Sequence, residues 1–363
     1  MPRPTLYVAI TNHGFGHATR TAAVVAEIQH LCPDLLVILV TTAPRWLLDS
    51  YLQGEFIQRP RALDIGVIQR DSLTMDKAAT LEQLQGIQRR QAAIIAGEVN
   101  FIRQNRVGLV LADIPPLATA IAHAADLPCW MLSNFGWDYI YRAWGGEFCA
   151  IADWISQCFA ACDQLFRLPF HEPMAAFPQI RDVGLTGGTP RHDLGQLRQK
   201  FQLRTTPEQT VLLTFGGLNL NAIPYDGLSR FPDWDFITFD AQAPALPNLR
   251  VVTDHQYRPV DFMPLCGRVV SKPGYSTFAE ACRLGIPLVS LTREDFVESP
   301  LLLEGIQQYA QHQILTPGEF YQGTWTFLEQ PLQPPQQSQS LDPHGNLAIA
   351  QAVVDYLQTQ EQV

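Results

Sequence analysis

Short apolar runs of Val, Ile and Leu alternate along this chain with longer segments of helical period. That alternation constrains the fold more than any other feature, because βαβ units around a buried parallel sheet require it. It runs twice. In the first half, residues 6–11, 35–41, 107–112, 129–133 and 183–186 read as strands. Helices are expected at 18–31, where Val24, Ile28 and Leu31 recur at helical spacing, and over the polar-faced stretch 77–104. Glycines crowd 184–193 and mark a linker. A second set of strands follows at 211–215, 236–239, 249–252, 268–271 and 287–291. The Pro- and Gln-rich stretch 330–340 reads as an irregular tether, and 345–357 as a final helix. The expectation is an α/β protein with two Rossmann-like domains: 1–186, a linker at 187–206, 207–330, and a tether and final helix at 331–363.

The length of 363 residues suits two domains of roughly 150–200 residues. With 25 basic and 35 acidic residues the net charge is -10, which argues against a general attraction to nucleic acid or anionic lipid. The seven scattered cysteines read as reduced thiols, which points to the cytoplasm. Cys158 and Cys162 have helical spacing, but no partner with zinc spacing accompanies them, so core thiols are favoured over a metal site and no metal is expected. No secretory signal is read at the start. The longest apolar stretch, 107–132, is broken by Asp113, Pro115, Pro116, His123, Asp126 and Pro128, so no transmembrane segment is expected.

Two motifs offer chemistry. The first, His13-Gly14-Phe15-Gly16-His17-Ala18-Thr19-Arg20, follows the first strand and opens the first helix. It lacks the third glycine of a dinucleotide fingerprint, and no acidic residue ends the second strand, so no nicotinamide cofactor is implied. It places two imidazoles at the carboxyl end of a parallel sheet, where open α/β folds put their ligands. A neutral histidine there can take the proton of an attacking hydroxyl, or it can simply hydrogen-bond the turn. The second motif, Ser271-Lys272-Pro273-Gly274-Tyr275-Ser276-Thr277-Phe278-Ala279-Glu280, is again strand, glycine turn and helix. Its amides and hydroxyls suit a diphosphate. Thr277 and Glu280 equally have the spacing of a capping box, which needs no ligand.

Gly274, Ser276, Glu280, Gly285 and Pro287 together resemble the donor-site motif of GT-B glycosyltransferases, nearest the group with the bacterial cell-wall N-acetylglucosaminyltransferase. A closer likeness is to the glycosyltransferase-like N-terminal half of plant-type L-arabinokinases. It is carried by Gly14-Phe15-Gly16-His17-Ala18-Thr19-Arg20, by Asn134-Phe135-Gly136-Trp137-Asp138-Tyr139-Ile140-Tyr141 and by Arg293-Glu294-Asp295-Phe296-Val297-Glu298-Ser299-Pro300, in the same order. No stretch matches the kinase half, so no sugar-kinase activity is carried over. The resemblance implies a GT-B fold with two parallel sheets facing an interdomain cleft, diphosphate binding by the glycine turn, ribose binding at Glu280 and a catalytic or acceptor-orienting histidine at His17. Where the family turn is richer in glycine this chain has Lys272-Pro273-Gly274-Tyr275, with a bulky ring at Tyr275. In place of the family's acidic-glutamine pair stand Glu294, Asp295 and Glu298; Glu298 is taken for the donor sugar, with solvated charge as the alternative.

The resulting expectation is a glycosyltransferase that moves a sugar from a nucleoside-diphosphate sugar, preferably a UDP-sugar, to an acceptor hydroxyl with inversion and without a metal or other cofactor. His17 and Asp113 form the catalytic set, Asp113 orienting His17, binding the acceptor or capping a helix. Gly216, Phe262, Met263, Gly274, Tyr275, Ser276, Thr277, Glu280 and Glu298 form the donor set. His13, Gly14, Phe15, Gly16, Asn134, Trp137 and Asp138 form the acceptor set, although the aromatic residues can equally fill a core. Asp233-Trp234-Asp235 spells a metal-binding acid pair but reads as a turn. The acceptor is a lipid or a small molecule; residues 45–52 read as a short amphipathic helix that can touch a membrane or pack as an ordinary helix. The alternatives are a nucleotide-sugar epimerase or hydrolase on the same fold, or a non-catalytic sugar-nucleotide-binding regulator.

Overall fold

The computed structural model describes residues 4–69, 75–216 and 223–360. Two compact units divide them: the first holds residues up to 187 together with 342–360, the second 188–341.

In the first unit the elements are β1 (Thr5–Ile10), α1 (Gly16–Leu31), β2 (Leu36–Val40), α2 (Arg45–Tyr51), β3 (Phe56–Arg59), α3 (Lys77–Gln104), β4 (Leu109–Asp113), α4 (Leu117–Ala124), β5 (Cys129–Ser133), α5 (Trp137–Trp144), α6 (Phe148–Phe159), β6 (Gln164–Arg167) and β7 (Ile180–Asp182). The strands form a parallel sheet in the order β3-β2-β1-β4-β5-β6-β7. Tyr7, Val8, Val110 and Leu111 have no exposed surface, as strands covered on both faces require. β1 pairs with β2 on one side and β4 on the other, with Ile10 opposite Asp113. The strand order reverses there, and the carboxyl ends of β1 and β4 therefore flank the crevice in which doubly wound folds bind ligands.

The second unit contains α7 (Leu194–Lys200), β8 (Thr210–Leu213), β9 (Asp235–Thr238), β10 (Leu249–Val251), α8 (Pro259–Phe262), β11 (Arg268–Ser271), α9 (Tyr275–Leu284), β12 (Leu288–Leu291), α10 (Glu298–Tyr309), β13 (His312–Leu315) and α11 (Pro317–Tyr321). Its parallel sheet runs β10-β9-β8-β11-β12-β13, with the reversal between β8 and β11. Val211, Leu213, Phe236, Val270 and Val289 pack with Phe320, Trp325 and Phe327 as its core. The segment expected as a tether is paired: Gln333 exchanges backbone hydrogen bonds of 2.9 and 2.8 Å with His312, and Gln336 and Gln337 donate to carbonyls of α10.

Most expected strands are present, with ends moved by one or two residues. The strand expected at 183–186 is absent: β7 ends at Asp182, and the following backbone groups are taken by the returning chain. Leu185 N donates to Asp342 O at 2.8 Å, Gly345 N donates to Leu185 O at 3.1 Å, and the Asn346 amide clamps both Gly187 N and Gly187 O at 3.1 and 2.9 Å. β3, β6 and β13 went unread because they are short and carry polar residues, so none shows a continuous apolar run.

After Asn346 the final helix, α12 (Gly345–Gln360), packs on α1 in the first unit, with Ile349, Ala350 and Val353 fully buried and Tyr356 set 5.1 Å from the Trp130 ring. α12 is thus part of that unit's core. Ile349→Ala is expected to destabilise the protein by about 2–5 kcal/mol, the usual cost of emptying such a site. Urea denaturation followed by tryptophan fluorescence measures it, and an unshifted midpoint would show that α12 is dispensable.

Candidate functional site

The glycine turn after β1 is shaped by Gly14, whose φ of +58° favours glycine. α1 begins at Gly16 without a side-chain cap, and its buried residues His17, Arg20, Thr21, Val24 and Ile28 recur at helical spacing. The face that carries Val24 and Ile28 into the core therefore carries three polar side chains in as well. Buried polar groups need partners.

Asp113, at the end of β4 and without exposed surface, provides them. Its Oδ1 lies 2.8 Å from His17 Nδ1. Arg20 holds it as a fork, Nε to Oδ2 at 2.7 Å and Nη2 to Oδ1 at 2.6 Å, and Thr21 Oγ1 donates to Oδ2 at 2.7 Å. Burial by itself would raise the Asp113 carboxyl, but the charge of the Arg20 guanidinium and the hydrogen bonds from Arg20 and His17 outweigh it and hold the group well below the usual carboxylate range. The next residue, Ile114, has φ +66°, a left-handed conformation costing a β-branched residue of order 1–3 kcal/mol. Asp113 does not cap α4, whose N-cap is Pro116.

His17 Nδ1 also lies 3.0 Å from Arg20 Nη2. The two hydrogens on Nη2 are directed to Asp113 Oδ1 and to Ser133 Oγ, at 2.6 and 3.1 Å, so none remains for the imidazole. Nδ1 is therefore the protonated nitrogen, donating to Asp113, and in the neutral ring Nε2 carries the lone pair. The ring is only 5% exposed, meets Phe135 edge-on with centroids 5.8 Å apart and lies tilted to Trp137 at 6.0 Å.

The two histidines of the motif have different settings. His13 is half-buried, its Nδ1 3.2 Å from both backbone N and O of Val67 and its ring edge-on to Trp137 at 5.3 Å. The segment after β3 thus straps the turn. Gly66, with φ +53°, lies so close that a Cβ there would stand 2.5 Å from that of His13, and Tyr141 Oη donates to Gly66 O at 2.5 Å. The strap also brings in Asp64, which no local signal marks in the sequence. Its carboxylate accepts from Thr11 Oγ1 and, at 3.0 Å, from Asn12 N, while Trp137 Nε1 donates to Thr11 Oγ1 at 3.0 Å. Burial pushes the Asp64 carboxyl up to about 7, against the backbone hydrogen bond from Asn12.

Other members of the acceptor set build the walls. Asn134 Oδ1 accepts from Arg20 Nη1 at 2.7 Å, and Asn134 and Trp137 are fully buried or nearly so. Asp138 turns to α6, where it accepts from Ser156 Oγ at 2.9 Å. Gly14 and Gly16 are exposed, and Phe15 packs edge-on to Trp46 of α2 at 5.6 Å. Leu47, Leu48 and Tyr51 are buried within their own unit, so α2 is a packed helix with Trp46 as its exposed ring.

In the second unit, Gly216, Lys272 and Gly274 lie at the carboxyl ends of β8 and β11. Gly216 has φ +81°, and a Cβ there would lie 3.6 Å from Lys272 Cε. α9 starts at Tyr275 with Gly274 as N-cap and no side-chain cap. The capping box is not formed, because the helix is already under way at Thr277. Glu280 Oε1 accepts from Gly188 N at 2.8 Å instead. Tyr275 is 4% exposed, so its ring packs inward and leaves the turn to backbone groups, while Ser276 is 9% exposed. Glu298, the first residue of α10, is buried, which removes the solvated-charge alternative. Phe262 and Met263 have no exposed surface; Phe262 packs on Phe201 at 5.0 Å and their side chains belong to the core. Asp235 is likewise structural, paired with Arg204 and Arg250. Among the described residues no three His, Cys, Asp or Glu side chains are grouped to hold a metal ion, and no helix is long and apolar enough to cross a membrane.

No family model matches the chain. Over 334 residues it is 29% identical to L-arabinokinase of Arabidopsis thaliana, an alignment covering 88% of this chain and 31% of that protein; the chain spans about a third of its length. Among solved structures it is similar to the calicheamicin glycosyltransferase (TM-score 0.60, 14% identity, 98% of this chain and 99% of that one). It is also similar to UGT2 of Phytolacca americana, solved with UDP-2-fluoro-glucose and pterostilbene (TM-score 0.59, 11% identity, 99% and 94%). A third is a UDP-glucose:anthocyanidin 3-O-glucosyltransferase solved with UDP (TM-score 0.60, 11% identity, 100% and 95%). The fold is that of the GT-B glycosyltransferases.

The Asp64 setting has a thermodynamic consequence. A carboxyl that binds its proton more tightly in the folded chain than in the unfolded one contributes stability that is present at acid pH and lost as pH rises through the folded value near 7. Asp64→Asn stays uncharged and keeps an acceptor for Asn12 N–H. The fall in Tm between about pH 5 and about pH 8 should therefore be smaller in the variant than in the wild type. Equal falls in the two proteins would show that Asp64 ionises without cost.

Proposed function

We propose that this protein is a glycosyltransferase that moves a sugar from a nucleoside-diphosphate sugar, a UDP-sugar in the first instance, to an acceptor hydroxyl with inversion. One observation carries the reading: in a fold shared with glycosyltransferases, a buried imidazole is held by Asp113 at 2.8 Å on the sheet's switch point with Nε2 left to accept a proton. The first unit takes the acceptor, a small molecule or a lipid. His17 Nε2 removes the hydroxyl proton as that oxygen attacks the anomeric carbon of the donor, and the bond from this carbon to the diphosphate oxygen breaks with its electron pair leaving on the diphosphate. Charge spreads into an oxocarbenium-like transition state as in glycoside hydrolysis.

The second unit takes the donor. The start of α9 has no side-chain cap, and its N-terminal turn, with Ser276 and Thr277, is assigned to the diphosphate. Glu280 is assigned to the ribose and Glu298 to the donor sugar. The base is assigned to the stretch 257–263, by backbone contact where Phe262 and Met263 are concerned. Uridine is favoured because two of the similar structures hold UDP or a UDP-sugar.

His17→Ala should lower transfer by about 10²–10⁴-fold, the usual worth of a general base, while leaving UDP affinity unchanged. Unaltered turnover would reject the assignment. In a thermal-shift panel of nucleoside diphosphates, UDP at a hundredfold its Kd should add about 2.7 kcal/mol of stability. A shift with another nucleotide and none with UDP would reassign the donor.

A further inference from the structure

We infer that Arg20 is a positioning residue whose guanidinium supplies the positive charge that Asp113 would otherwise draw from His17, so that His17 is kept a neutral ring with its proton on Nδ1 and its lone pair on Nε2. A carboxylate without exposed surface cannot stand uncompensated, and two groups are within reach to compensate it: Arg20 and His17. Arg20, itself 2% exposed, takes both oxygens at 2.7 and 2.6 Å, against one contact of 2.8 Å from His17. Its outer nitrogen, Nη1, is fastened to Asn134 Oδ1 at 2.7 Å, and Nη2 to Ser133 Oγ at 3.1 Å, so the fork is tied to the end of β5 as well as β4.

The pair is electrically closed before His17 joins it. A second cation would be placed with Nδ1 3.0 Å from Arg20 Nη2, where burial of both residues leaves the repulsion weakly screened. His17 therefore enters as a dipole, donating Nδ1–H. Among the described residues the surroundings add no second carboxylate in direct contact: the turn presents His13 at 6.3 Å between centroids, the loop after β5 presents Phe135, and α5 presents Trp137. Asp64 reaches the ring only through Thr11 and Trp137. The catalytic value of the bare Nε2 rests on the transferase reading above; the charge state of the ring does not.

The test follows the ring itself. In protein carrying 15N-labelled histidine, two-bond 1H–15N correlations at neutral pH report both nitrogens, with His17 assigned by its absence from His17→Gln. The wild type should show a neutral ring protonated at Nδ1. Arg20→Met should convert it to the doubly protonated imidazolium, and Arg20→Met with Asp113→Asn should restore the neutral ring. Arg20→Lys, which retains a cation, should stay neutral. An imidazolium or an Nε2–H tautomer in the wild type would overturn the inference without recourse to any variant, as would a neutral ring in folded Arg20→Met. None of these spectra needs donor or acceptor, so absence of glycosyl transfer would reject the enzymatic reading and leave this one standing.

Discussion

A carboxylate shut away from water at the end of β4 organises the first unit's ligand end. Asp113 has no exposed surface, and its charge obliges the chain to bring it donors from elsewhere. Those donors all lie on the first two turns of α1, at His17, Arg20 and Thr21, so the interaction fixes where the helix sits over the sheet and how the imidazole is turned. Arg20 then extends the same network to Ser133 and Asn134, which places the loop that carries Phe135 and Trp137. The groups around Asp113 depend on one another, because moving one would leave another buried without its partner.

The two sheets use their switch points differently. After β1 the chain turns on Gly14 and starts a helix whose first side chains are buried on the inward face. After β11 it turns on Gly274 and starts a helix that also lacks a side-chain cap, but with Tyr275 packed inward and the turn left to backbone groups. One switch point displays an imidazole, the other N–H groups and hydroxyls.

The strap after β3 adds a second buried carboxyl with the opposite electrostatics. Asp113 is gripped by the Arg20 guanidinium and kept ionised, whereas Asp64 accepts from a hydroxyl and a backbone N–H, and burial pushes it up to about 7. Two aspartates around one glycine turn are thus set apart by what surrounds them rather than by residue type.

The sequence by itself determined the class of fold, the two sheets and the positions of both glycine turns, since parallel strands covered on both faces must be apolar runs and the glycines at their ends are legible as turn signals. It also marked His17 in the glycine motif that opens the first helix and Asp113 at the end of an apolar strand. It could not separate His13 from His17, decide between a capping box and an open helix start at Thr277, or show that the Phe262 and Met263 side chains are buried in the core, because each depends on what packs against the residue. Arg20 lay in the motif without a role: a helical spacing of three from His17 hints at a shared face, but its partners are 93 and 114 residues away. Asp64 and the docking of α12 had no local signal at all. Only the tertiary structure decided these, because burial and long-range hydrogen bonding are properties of the neighbours a folded chain assembles, and strand and helix periods do not encode them.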